Sequence, residues 1–155
     1  MSTALSQRLN QFLSSQHSRL QQLTDLLNQE QELLGVGSID GKALETIAKA
    51  KAEHFAALQE NEQQRRTLQT GQGLGESREG AAKLAQIAGC SDVWQQVLEL
   101  AREVSRQNQL NGELIQHRLQ HNQQMLNIIR EAAGTPLYGA DGKSTSGGSR
   151  INSKA

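Results

Sequence analysis

"LSQRLNQFLSSQHSRLQQLTDLLNQEQELL", residues 5–34, decides the fold. Its apolar side chains fall at Leu5, Leu9, Phe12, Leu13, Leu20, Leu23, Leu26, Leu27, Leu33 and Leu34. Most are three or four apart, which gathers them on one stripe of an α-helix. The line of sevens through positions 13, 20, 27 and 34 is Leu throughout, the spacing with which one helix packs along another as a coiled coil. A helix of about 30 residues is roughly 45 Å long at about 1.5 Å per residue, so it needs partners of similar length. The stretch predicts an all-α chain, an elongated antiparallel helical bundle of coiled-coil type.

The rest of the chain supplies those partners. "GVGSID" (35–40) interrupts the first helix, with Gly35 suited to a left-handed C′ position and Ser38 or Asp40 suited to cap the next helix. The second helix carries Leu44, Ile47, Ala48, Phe55, Leu58 and Leu68 on one stripe. Its stretch 59–66 has no apolar residue, which predicts that the far end projects beyond the core. "TGQGLGES" (70–77) reads as a flexible glycine-rich link, Ser77 as the cap of a short third helix over 77–88, and Gly89 as its close. Ser91 or Asp92 is placed to cap a fourth helix from about Val93 to Ala133, ended by "GTP" at 134–136. The expectation is three long helices plus one short helix in a domain spanning 1–135. Beyond it, "PLYGADGKSTSGGSRINSKA" (136–155) is small, polar and glycine-rich, the composition of a disordered tail.

Composition narrows the function. Sixteen basic residues balance sixteen acidic ones, so no net charge steers the chain to nucleic acid or to an anionic membrane. Aromatics are 3%, too few to wall a deep ligand pocket, which argues against an enzyme and against a bound cofactor. Cys90 is the single cysteine, which excludes a disulfide framework and a thiolate zinc cluster and suits a reducing cytosol. The opening residues lack the basic and apolar regions of a signal peptide, and no stretch approaches the ~18 apolar residues of a membrane span. A cytoplasmic protein without membrane insertion is expected.

Discrete chemical motifs are weak. His117 and His121 stand four apart, but "HRLQH" has no adjacent zinc-protease Glu and no third ligand in view. His17 or His54 on a bundle would suit phosphotransfer, yet each is as readily a solvated helix residue. "GQGLGES" is followed by no Lys-Ser or Lys-Thr and preceded by no strand, so it is not a phosphate loop. No catalytic, cofactor-binding or metal-binding residue is assigned.

The informative anomaly is "RQNQLNGELIQHRLQHN", residues 106–122. Both ends of the fourth helix have apolar seam positions, while its middle alternates polar and apolar. A buried polar group left unpaired costs about 1–3 kcal/mol, so these side chains either pair across the bundle or face another molecule. Asn111-Gly112 is also a turn signal. The spacing nevertheless stays in phase from Leu114 to Ile129, which predicts a continuous helix with a kink or a close helix contact at Gly112. The stripe Asn108, Asn111, Ile115, Arg118, Asn122, Met125 and Ile129 is the candidate binding face. Past Pro136, Leu137 and Tyr138 form an isolated apolar pair, suited to anchor on a partner or to fold back over the helix end.

"SIDGKALETIAKAK" (38–51), "NQLNGELIQHRLQHNQQML" (108–126) and "LYGADG" (137–142) together resemble the bacterial flagellar export chaperones of the FlgN family. The most specific part is the Asn-rich "NxxNGxLI" pattern of 108–115 with the Tyr-Gly tail. The resemblance implies a cytoplasmic, non-ATPase chaperone. It would bind the C-terminal helices of the two hook-associated proteins at the hook–filament junction, prevent their early assembly and deliver them to the export gate. It also implies that Tyr138 helps the loaded complex dock on the cytoplasmic domain of the membrane export-gate protein. The Ser/Gly-rich extension after Gly142 departs from that pattern. A structural homo-oligomeric coiled coil is the alternative that the Leu seam allows.

Overall fold

The computed structural model describes residues 3–132. It consists of α1 Thr3–Gly35, α2 Gly41–Gly71, α3 Arg78–Ile87 and α4 Ser91–Ala132, with no strand among the described residues. This is the all-α chain of three long helices and one short one that the heptads predict. The tail 136–155 and its boundary with the helical domain lie outside the described residues. The chain divides into two compact units, Met1–Gly112 and Glu113–Ala155.

The first unit is built on the seam of α1. Leu13, Leu20, Leu27 and Leu34 are all buried, Leu13 and Leu27 completely. A second line of sevens, Leu9, Gln16, Leu23 and Glu30, is buried beside it. Against these pack Ala81, Leu84 and Ala85 of α3 and Trp94, Val97 and Val104 of α4. Burying one such leucine is worth about 1.5–3 kcal/mol, so this aliphatic seam supplies much of the driving force.

Consecutive long helices in this unit are antiparallel. α2 returns along α1, with Lys51 bonded to Glu30 and Gln59 and Glu62 reaching the level of Gln16. The first part of α4 then runs with α1: Trp94 and Leu98 stand beside Gln16 and Leu20, and Asn111 beside Leu27 and Glu30.

Local chemistry sets the helix ends. Asp40, not Ser38, caps α2: its Oδ1 accepts from the Ala43 N–H at 3.0 Å. Ser77 Oγ caps α3 by accepting from the Gly80 N–H at 3.0 Å, and Gly89 closes it with φ 73°. α4 starts a residue or two earlier than expected. The Cys90 carbonyl accepts from the Trp94 N–H at 2.9 Å, which places Ser91 and Asp92 inside the first turn, where the Asp92 carboxylate faces the positive helix end. Gly35 does not take the left-handed conformation expected of it: it is the last residue of α1 with an ordinary φ, because the reversal is spread over residues 36–40.

The far end of α2 corrects another expectation. It does not project: Arg65 is 7% exposed and Gln69 fully buried. Their polar groups are satisfied, so burial is tolerated. Arg65 donates to Gln69 Oε1 at 2.5 Å and, through Nε, to Glu62 Oε1 at 2.9 Å. Gln69 Nε2 donates to the Ser77 carbonyl at 2.9 Å. The Arg65 guanidinium also lies over the Trp94 ring, 5.2 Å from its centre, a cation–π contact. The link between α2 and α3 is hydrogen-bonded rather than slack. Gly73 and Gly75 adopt left-handed φ of 75° and 70°, and the Leu74 N–H donates to the Gln69 carbonyl at 3.2 Å.

Candidate functional site

The turn signal at Asn111-Gly112 loses to the helical period: α4 is unbroken from Ser91 to Ala132. A Cβ built on Gly112 would meet nothing within 4 Å. Of the two features expected at Gly112, a kink or a close helix contact, the contact is absent: the residue faces open space.

Asn111 takes the intramolecular course. It is fully buried, and its Nδ2 donates to the Leu27 carbonyl and to Glu30 Oε1, each at 2.9 Å. Its Oδ1 accepts from Gln107 Nε2 at 3.0 Å. Lys51 Nζ donates to both Glu30 carboxylate oxygens at 3.1 and 3.2 Å. One buried polar layer thus ties α1, α2 and α4 together. Because all these groups are used inside the unit, Asn111 is not part of an exposed stripe in this structure. Sequence reasoning missed Glu30 and Gln107 as its side-chain partners, and Lys51 as the partner of Glu30. Glu30 carried a signal, since it shares a line of sevens with Leu9 and Leu23.

The remaining stripe residues are placed differently. Asn108, in the first unit, is half-buried. In the second unit α4 continues as one amphipathic helix, with Ile115 and Arg118 half-buried and Asn122 exposed. Met125 and Ile129 lie within α4, but their side chains fall outside what the structure describes, and Leu137 and Tyr138 lie outside the described residues altogether. Three apolar side chains not assigned to the stripe are conspicuous here: Leu114 is 37%, Leu119 59% and Ile128 56% exposed. Leu114 and Ile128 sit on a line of sevens with His121. Leu119 shares a line of sevens with Leu98 and Leu126, but Ser105 and Gly112 interrupt that line, so it did not stand out as a seam. His117 and His121 are exposed, and among the described residues no three His, Cys, Asp or Glu side chains converge as a metal site requires.

The profile of the FlgN protein family matches residues 1–146. The chain belongs to the FlgN family. It is 33% identical over 137 residues to the flagella synthesis protein FlgN of Proteus mirabilis, covering 88% of this chain and 90% of that one. It is 32% identical over 148 residues to FlgN of Salmonella typhimurium, covering 94% and 98%. The match to FlgN of Escherichia coli is 28% identical over the same shares, 94% and 98%. No solved structure matches the chain. Among the described residues of this FlgN-family chain, no helix is long and apolar enough to cross a membrane.

Proposed function

We propose that this protein is a cytoplasmic chaperone of flagellum synthesis that binds the C-terminal helices of hook-associated proteins, keeps them from assembling early and brings them to the export gate. The observation that carries this is the distal part of α4, where Leu114, Leu119 and Ile128 are exposed on a helix otherwise rich in Asn, Gln and His. Leu114 and Ile128, two heptads apart, flank one edge of the Ile115 line and Leu119 the other, so an incoming amphipathic helix would straddle that line to complete an intermolecular bundle. Polar residues between them let the face stay hydrated when empty. The family's name, flagella synthesis protein, supports the cellular setting, and the protein acts here by binding, not by catalysis.

Leu137 and Tyr138 form the second contact in this reading, docking the loaded complex on the cytoplasmic domain of the export-gate protein. Light scattering after size exclusion tests the first step: the mass should rise only when a hook-associated C-terminal segment is added. A mass that exceeds the monomer alone and ignores the segment favours the homo-oligomeric coiled coil. For the second step, Tyr138→Ala should leave cargo binding and melting temperature unchanged while docking on the gate domain falls.

A further inference from the structure

Gln16 departs from the rule the other buried polar side chains obey. Asn111 pairs with Glu30, and Arg65 with Gln69. Gln16 lies on the α1 seam, 8% exposed, and its Oε1 is buried with no hydrogen-bond partner. A lone amide there is costly, about 1–3 kcal/mol when unpaired. It borders a groove of about 380 Å³ between α1, α2 and α4, floored by Leu20, Leu58, Trp94 and Leu98. Phe55 stands at the rim, 38% exposed.

A second groove, about 480 Å³, adjoins the first through Leu98 and Ala101 and is edged by Arg78, Arg102 and Arg106. Arg106 is paired with Glu103. Among the described residues Arg78 and Arg102 have no acidic partner. In a chain with equal numbers of acidic and basic residues, three arginines around one apolar floor are a local concentration of charge.

We propose that this double groove docks an amphipathic helix of a partner protein, one with an apolar ridge, a single Asn or Gln on that ridge and acidic residues along one flank. Each part of that description answers a feature of the surface. The ridge covers Phe55, Leu58 and Leu98. The side-chain amide pairs with Gln16, as polar seam residues do in coiled coils. The acidic flank faces the arginines, whose forked guanidinium groups hold carboxylates well. All of these residues precede Gly112, so the surface is separate from the distal α4 face and does not rest on the chaperone reading.

The test uses the full chain and a synthetic amphipathic peptide of about 20 residues, long enough to span the groove, with a Leu ridge, one Asn and a Glu flank. Trp94 is the only tryptophan and lines the groove, so its emission reports binding. The peptide should bind saturably, and the double variant Arg78→Glu, Arg102→Glu should weaken it about tenfold or more, as loss of charge-assisted contacts would. A peptide with Lys replacing Glu should bind the parent poorly and recover on that variant. Gln16→Leu should abolish the preference for the Asn peptide over one with Leu in that place, while Leu119→Asp should change nothing. No saturable binding, equal binding of the Glu and Lys peptides, or hydrogen-exchange protection confined to residues 113–132 would each overturn the proposal.

Discussion

Gly80 and Gly112 both sit inside helices, and a methyl group should act on them in opposite directions. A Cβ on Gly80 would lie 2.3 Å from the Leu74 carbonyl oxygen and 2.7 Å from Gln69 Nε2, so Gly80→Ala forces apart the α2–α3 link and should cost about 1–3 kcal/mol. Gly112→Ala meets open space and should stabilise by about 0.5–1 kcal/mol through helix propensity. Urea unfolding of the two variants checks both signs. Cys90 offers a chemical test of burial. Its surroundings push the thiol above its ordinary pKa, which keeps it protonated and unreactive at neutral pH. An aromatic disulfide reagent should label it slowly in the native protein and quickly in denaturant; fast native labelling would contradict the packing around it. At this scale the sequence was legible where the cause is local, as at the Ser77 cap and Gly89. Gly80 was not, because what requires glycine there is a carbonyl brought in by a different segment.

The leucine seam of α1 was legible because burial follows directly from its period. Leu27→Ala, at a fully buried position, should cost about 2–5 kcal/mol in a thermal or urea melt. The polar layer on the same helix was harder to see. Hydropathy treats Glu30, Arg65 and Gln69 as surface residues, and only their hydrogen bonds make burial tolerable: Glu30 with Lys51 and Asn111 of other helices, Gln69 with the Ser77 carbonyl, and Arg65 with Glu62 and Gln69 along α2 itself. Asn111→Ala should accordingly cost about 1–3 kcal/mol, since it strips a donor from Glu30 and from the Leu27 carbonyl. An unchanged melt would show that the layer is not closed in solution. The continuity of α4 through Asn111-Gly112 belongs to this scale too. In-phase apolar spacing on both sides outweighs a two-residue turn signal, whose preferred conformation needs positive φ; no non-glycine residue in the described chain has it.

For the whole molecule, fold class was readable from the first 34 residues, whereas the binding face was only partly so. The mixed stripe of α4 contains one residue, Asn111, that the bundle uses for itself, while Leu114, Leu119 and Ile128 are left outside. Periodicity marks which residues share a face but not which face finds a partner within the chain. Because Leu119 and Ile128 are more than half exposed, changing them probes binding without disturbing a core. The central claim is that distal α4 receives the C-terminal helix of a hook-associated protein. Calorimetric titration of that segment into the parent and into Leu119→Asp tests it most directly. Affinity should fall about tenfold or more, the size expected for a central apolar contact, with the melting temperature unchanged. Equal affinity in the two proteins, or a Leu119→Asp chain that unfolds, would contradict it.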